Sequence, residues 1–209
     1  EQLLWVAQTI SDPNQGAQEV CAVLTADIDL EGEEWTPMGT ASYGYKGTFD
    51  GQGHKITGLN VPAVGDYVGL FAVIDGGTVK NLVVSGSVSG KDRTGAIVGY
   101  LKNGGTLYRC GNEATVTGSG AHTGGLVGEA GPNGRENTIG QCYNAGAVSG
   151  SGTYAGGILG NDLGKAAITD CYNTGTVIGS SRYAGGIRGN FGKLNIGKIS
   201  NCYNAGTVT

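Results

Sequence analysis

Three residue types able to do chemistry stand side by side in this 209-residue sequence and recur at nearly constant spacing. They are Cys142-Tyr143-Asn144, Cys171-Tyr172-Asn173 and Cys202-Tyr203-Asn204, with Cys110 and Asn112 in a looser copy. One thiol per unit, all in a line, lacks the tetrahedral convergence that a zinc-type site needs, so no metal is expected there. Leu82 occupies the same place one unit earlier. A position that exchanges leucine for cysteine is a small buried hydrophobe, and free thiols are expected. The asparagines suit a ladder of amides bonding from one unit to the next. The tyrosines Tyr143, Tyr172 and Tyr203 offer apolar area with a hydroxyl to orient a ligand. A second such column precedes a double glycine: Arg93, His122, Tyr154 and Tyr183, joined by Tyr67 if one residue is deleted from its unit. These seven positions, the two tyrosine columns with Arg93 and His122, are the candidate ligand-binding residues. The alternative is that the aromatics merely cover a sheet face.

Catalytic sets are harder to assemble. Glycoside hydrolysis uses two carboxylates about 5 to 9.5 Å apart, whereas Asp66, Asp92, Asp162 and Asp170 occur singly. The only histidines are His54 and His122, and no His-Glu-x-x-His metalloprotease motif is present. The densest acidic group is Asp27, Asp29, Glu31, Glu33 and Glu34. Calcium wants six to eight converging oxygens, which one strand edge does not supply, so a solvated acidic loop is expected. No catalytic residue, metal or cofactor is therefore expected.

These side chains must be positioned by a repeat. Starting at Leu82 and moving to Cys110, Cys142, Cys171 and Cys202, the steps are 28, 32, 29 and 31 residues, a period that signals stacked units. Each unit also carries Gly-Gly-Leu-Val-Gly or a relative, as in Gly95–Gly99, Gly124–Gly128, Gly156–Gly160 and Gly185–Gly189. Helical repeats of this period need runs of good helix formers, but these units are broken by glycine and carry short Val, Ile and Thr segments. The predicted fold is all-β: a parallel β-helix with three-strand coils of about thirty residues. In one coil the strands run through Gly146–Val148, Gly157–Leu159 and Ile168–Cys171. Glycine, 42 of the 209 residues, is expected to make the corners where φ turns positive. Identical positions then stack about 4.8 Å apart. Val79, Leu107, Ile139, Ile168 and Ile199 form one apolar column, Val88, Val116, Val148 and Val177 a second, and Ile97, Leu126, Ile158 and Ile187 a third.

Residues 1–64 lack the repeat and are expected to form a cap with the first coil or coils, and residues 65–209 the repeats, together one structural domain. Leu3, Leu4, Ala7 and Ile10, with Trp5 and Val6, suit a short amphipathic capping helix ending before an Asp12-Pro13-Asn14 turn. Strands are expected near 19–25 and 28–30. The repeat stops at Thr209 within a unit, so the natural chain is expected to continue. Charged residues are 14% and the formal net charge is −4, which disfavours nucleic acid as a partner. No apolar run reaches the length of a membrane span, and insertion into a membrane is not expected.

The Gly124-Gly125-Leu126-Val127-Gly128 element alternating with Cys-Tyr-Asn-x-Gly-x-Val resembles the GLUG-motif repeats of large secreted and surface-anchored bacterial proteins. The lead-in, with Trp35-Thr36-Pro37-Met38-Gly39 and Phe49-Asp50-Gly51-Gln52-Gly53-His54, is similar to the segment that precedes such repeats. The resemblance covers nearly the whole chain. It implies a right-handed β-helix in an extracellular, adhesin-like protein. Some relatives of that kind carry an immunoglobulin A peptidase label, but the motif residues are glycines and core positions and offer no catalytic residue to carry over. The resulting expectation is a non-enzymatic, monomeric piece of a surface protein that acts as a stalk or binds host glycan or protein. The alternative is a carbohydrate-active β-helix enzyme or its accessory domain.

Overall fold

The computed structural model of the chain describes residues 2–12, 17–62, 65–132, 135–190 and 197–209. A short α-helix, α1 (Gln2–Ser11), and a 3-10 turn (Ala17–Glu19) precede a parallel β-solenoid of about six turns. Among the described residues the strand pairs are parallel, and they keep register from one coil to the next apart from one shift between Ile56 and Leu59, where Lys55–Val61 meets Val83–Gly90. The coil is more finely divided than three strands. One full coil runs through Thr106–Tyr108, Gly111–Asn112, Thr115–Gly118, His122–Gly124 and Val127–Ala130. These fall on four sheets, here numbered in the order the chain meets them: sheet 1 holds the first strand, sheet 2 the next two, sheet 3 the fourth and sheet 4 the fifth.

The apolar columns lie where their spacing put them. Phe49, Val79, Leu107, Ile139, Ile168 and Ile199 are successive partners in sheet 1. Val61, Val88, Val116, Val148 and Val177 are partners in sheet 2. Ile97, Leu126 and Ile158 are fully buried, but the Gly-Gly-Leu element is not a strand. It is the bend between sheets 3 and 4, so the strand expected at Gly157–Leu159 is two strands, Tyr154–Gly156 and Leu159–Asp162.

Close approach, rather than positive φ, explains most of the repeat glycines. A Cβ on Gly124, Gly156 or Gly185 would lie 2.0 Å from the carbonyl oxygen of Val127, Leu159 or Arg188. One on Gly125 or Gly157 would strike the side-chain amide of Asn144 or Asn173 at 2.6 and 2.5 Å. The double glycine and the asparagine are thus two halves of one contact across the coil. The corner that does need positive φ is filled by other residues. Gln52, Asn81, Arg109, Gln141, Asp170 and Asn201, one before the cysteine column or its equivalent, all have φ between 51° and 54°. Glycine there was the expectation. Instead side chains cross-link successive corners, as Asn81 Nδ2 donating to Asp50 (3.0 Å) and Arg109 Nε donating to Gln141 (2.9 Å).

The amino-terminal helix buries Leu3, Ala7 and Ile10 against the first coil and leaves Leu4 and Trp5 in solvent. Residues 22–62, though without the repeat motif, already coil: Ala22–Val23 pairs with Thr48–Asp50, and Ile28–Asp29 with Lys55–Val61. Pro13 and Asn14 of the expected turn, and the boundary at 63–64, lie outside the described residues.

Candidate functional site

Asn112, Asn144, Asn173 and Asn204 form the spine under the first tyrosine column. The Nδ2 of each of the first three donates to the Oδ1 of the next asparagine at 2.7 Å, and all four donate to a backbone carbonyl two residues on, as from Asn144 to Gly146 at 2.9 Å. Asn112, Asn144 and Asn173 are fully buried, so these bonds satisfy groups that water cannot reach. Beside them the cysteines are all free thiols. The amides of Cys110, Cys142 and Cys171 each donate to the sulfur of the next coil at 3.4 Å. Burial pushes the Cys142 thiol up, away from thiolate.

Asparagine points in, so its neighbour points out. Tyr143, Tyr172 and Tyr203 stack on the outer side of sheet 2 with ring centroids 5.4 and 5.3 Å apart and planes within 10°. Because the rings are stacked on one another, their faces are covered and the column presents ring edges and hydroxyls. The Tyr143 ring lies over Gly111, where a Cβ would meet it at 2.3 Å. Its hydroxyl donates to Glu113 at 3.1 Å, and Glu113 pairs with Lys55 at 3.1 Å. Burial, then the Glu113 carboxylate, pushes the Tyr143 hydroxyl up to about 12. Tyr203, at the far end, is 57% exposed.

The second column is also assembled as expected. His122, Tyr154 and Tyr183 are register partners in sheet 3 and stack at 5.8 and 5.4 Å. Tyr67 joins with the expected one-residue deletion in its unit: Val68 bridges Thr94 and sets Tyr67 beside Arg93, while Phe71, three residues on, pairs with Val98, four residues on. The upper half of this column is committed elsewhere. Arg93 lies over the rings of Tyr67 (5.0 Å) and Tyr100 (5.6 Å). Its Nε reaches Glu129 at 2.9 Å and its Nη1 reaches Asp92 at 2.9 Å. His122 Nδ1 is 2.9 Å from Glu129 and 3.2 Å from Asp92, but off the axis of its ring N–H, so it makes no aligned hydrogen bond. Asn161 Nδ2 donates to the same Glu129 carboxylate at 3.1 Å. Burial opposes the charge on Glu129, yet His122, Asn161 and Arg93 outweigh it and hold the carboxyl below the ordinary glutamate value.

Asp92 and Glu129 therefore bring two carboxylates from successive coils to one histidine, a set that scanning single aspartates did not reveal. The only trace in the sequence is that the residue following Gly-Gly-Leu-Val-Gly, or its counterpart, is polar in the four later coils, as Tyr100, Glu129, Asn161 and Asn190, where the preceding coil has Val73. Glu129 is 1% exposed with both oxygens engaged, so its carboxylate is sealed from substrate and acts as a clamp between sheets 3 and 4, while Asp92 and His122 stay partly exposed at its rim. Asp162 is a second clamp. Its carboxylate accepts from the amides of Gly164, Ala166 and Gly197 and pairs with Arg188 at 3.2 Å. In the acidic segment, Asp27 accepts from the Lys55 amide and meets His54 at 3.0 Å, and Asp29 accepts from the Glu31 amide. Among the described residues no three acidic, histidine or cysteine side chains converge to hold a metal.

No family model matches the chain. It is 38% identical over 80 residues to a protein named "Putative Gly-rich membrane protein" from Evansella cellulosilytica, a stretch covering 37% of this chain and 9% of that protein. It is 35% identical over 120 residues to halomucin of Haloquadratum walsbyi, covering 50% of this chain and 1% of that protein. The chain thus spans less than a tenth of either curated relative. In structure it is similar over its whole length to a crystal structure described as a "putative immunoglobulin A1 protease" from Bacteroides ovatus, with a TM-score of 0.81, 26% identity and 74% of that chain covered. The class that the structural match supports is the parallel β-helix, and the two sequence relatives, one named as a Gly-rich membrane protein and one as a halomucin, are both far longer than this chain. Among the described residues, no helix is long and apolar enough to cross a membrane.

Proposed function

We propose that the chain is a rigid, non-catalytic β-helical segment of an extracellular surface protein that presents a recognition strip to a host glycan or protein. The observation that carries this reading is the register of the columns: from Asn112 onward each coil repeats the same inward asparagine and, from Tyr143 onward, the same outward tyrosine. A rod built this way holds identical side chains at fixed intervals along its axis, which suits display and spacing. The membrane-protein and mucin names of two much longer relatives agree with such a role. A catalytic reading draws on the structural neighbour's protease name, while Glu129, the carboxylate at the centre of the acidic cluster, is buried with both oxygens engaged. The test is to apply the purified chain to an array of glycans, mucins and cell-surface proteins, and separately to incubate it with immunoglobulin A and with plant and microbial polysaccharides. Selective binding without cleavage is expected. Cleavage of any of these substrates would overturn the reading.

A further inference from the structure

We propose that the outward side of sheet 2 is a binding site for an uncharged, linear polysaccharide lying along the coil axis. This inference rests on the recognition reading above and narrows it to one face and one ligand class.

Strict alternation sets this face. Val116, Val148 and Val177 point into the core, and their neighbours on either side point to solvent. The outward neighbours form two columns parallel to the tyrosines. Thr115, Thr176 and Thr207 belong to one, and Thr117, Ser149 and Thr209 to the next. Ala147 and Ile178 are the two departures from hydroxyl in these coils. Each hydroxyl supplies a donor and two acceptor lone pairs, and each rung repeats about 4.8 Å further along. The tyrosine column borders the face, and the hydroxyls of Tyr172 and Tyr203 have no hydrogen-bond partner among the described residues.

Charge complementarity selects the ligand. Lys55 and Glu113 neutralise one another at the amino-terminal end of the face. From Tyr143 to Thr209 no outward position of this sheet is Asp, Glu, Lys or Arg. A sulfated or uronic-acid chain would find no cation here, and the chain's net charge of −4 repels it. Protein partners favour a desolvated centre with aromatic, Met or Arg anchors, whereas the centre of this face is hydroxyls and methyls. A polyol with a repeating backbone matches it: weak contacts recur at each coil and add along the axis as effective concentration rises.

The test measures co-sedimentation of the purified chain with insoluble cellulose and chitin as neutral probes. Immobilised polygalacturonate and heparin are the acidic probes, and a deglycosylated mucin core is the protein probe. Two single-charge variants accompany it: Thr176→Glu in the middle of the face, and Thr138→Glu on sheet 1, each checked for unchanged thermal unfolding. The expected result is retention on a neutral polysaccharide that falls about tenfold or more in Thr176→Glu, since the new carboxylate is desolvated against an uncharged ligand, and persists in Thr138→Glu. Retention only on the acidic or protein probes would overturn the ligand class and leave the recognition reading intact. Retention on cellulose or chitin that Thr176→Glu does not change would overturn the face. Silence on every probe would overturn both readings and leave a spacer.

Discussion

At the scale of the residue, the asparagine spine makes the sharpest claim. Replacing Asn144 with alanine strands the Gly146 carbonyl and the Asn173 oxygen and leaves the Asn112 amide with only its bond to the Ala114 carbonyl, all buried. Orphaned buried groups cost roughly 1–3 kcal/mol each and do not add fully, so a loss of about 3 kcal/mol is expected from urea midpoints. Asn204→Ala, at the exposed end of the same column, should lose about 1 kcal/mol or less. Equal losses at the two sites would show that the buried ladder is not what the asparagines contribute. Glu129 gives a pH signature. Its carboxyl is held below the ordinary glutamate value in the fold, so its contribution is fully present above the unfolded value near 4.5 and is lost as pH falls through the depressed one. The melting temperature of the wild type should therefore drop more steeply between pH 5 and 3 than that of Glu129→Gln. Parallel pH profiles would mean that the clamp does not store this charge.

At the scale of the element, the corner before the cysteines is the feature that a reading by glycine content misplaces. Gln141 sits at φ 53° on the outside of the coil, a backbone shape that costs an ordinary residue about 1–2 kcal/mol. Gln141→Val, β-branched in the same position, should lower stability by at least about 1 kcal/mol relative to Gln141→Gly in thermal or chemical unfolding. Glycine as the weaker of the two would contradict the strained-corner account. The amide and guanidinium side chains at these corners gave no local sign of it, because their reward is a bond to the next coil rather than a turn within their own. The glycines of the Gly-Gly element, by contrast, are prominent in the sequence for a reason invisible there. Gly125 and Gly157 make room for Asn144 and Asn173, 19 and 16 residues away in the chain.

At the scale of the whole molecule, the coil was legible because a thirty-residue period leaves few ways to bury Val, Ile and Leu at fixed intervals, and the register follows once the columns are written out. Four sheets instead of three faces were not legible, since bends at Gly146 and at Gly157-Ile158 depend on packing between coils. The tyrosine columns were legible as columns, but not their different fates. His122 and Arg93 are drawn into the Glu129 clamp, which only the pairing of sheet 4 against sheet 3 creates, while Tyr172 and Tyr203 stay at the border of an open hydroxyl face. This difference separates a structural column from a recognition column. The decisive measurement is array binding by Tyr172→Ala/Tyr203→Ala and Tyr154→Ala/Tyr183→Ala, each compared with the wild type at matched folded fraction. The account predicts that the first pair abolishes selective binding and the second leaves most of it. Binding that survives the first pair and fails in the second would place recognition on the clamp side of the coil and contradict it.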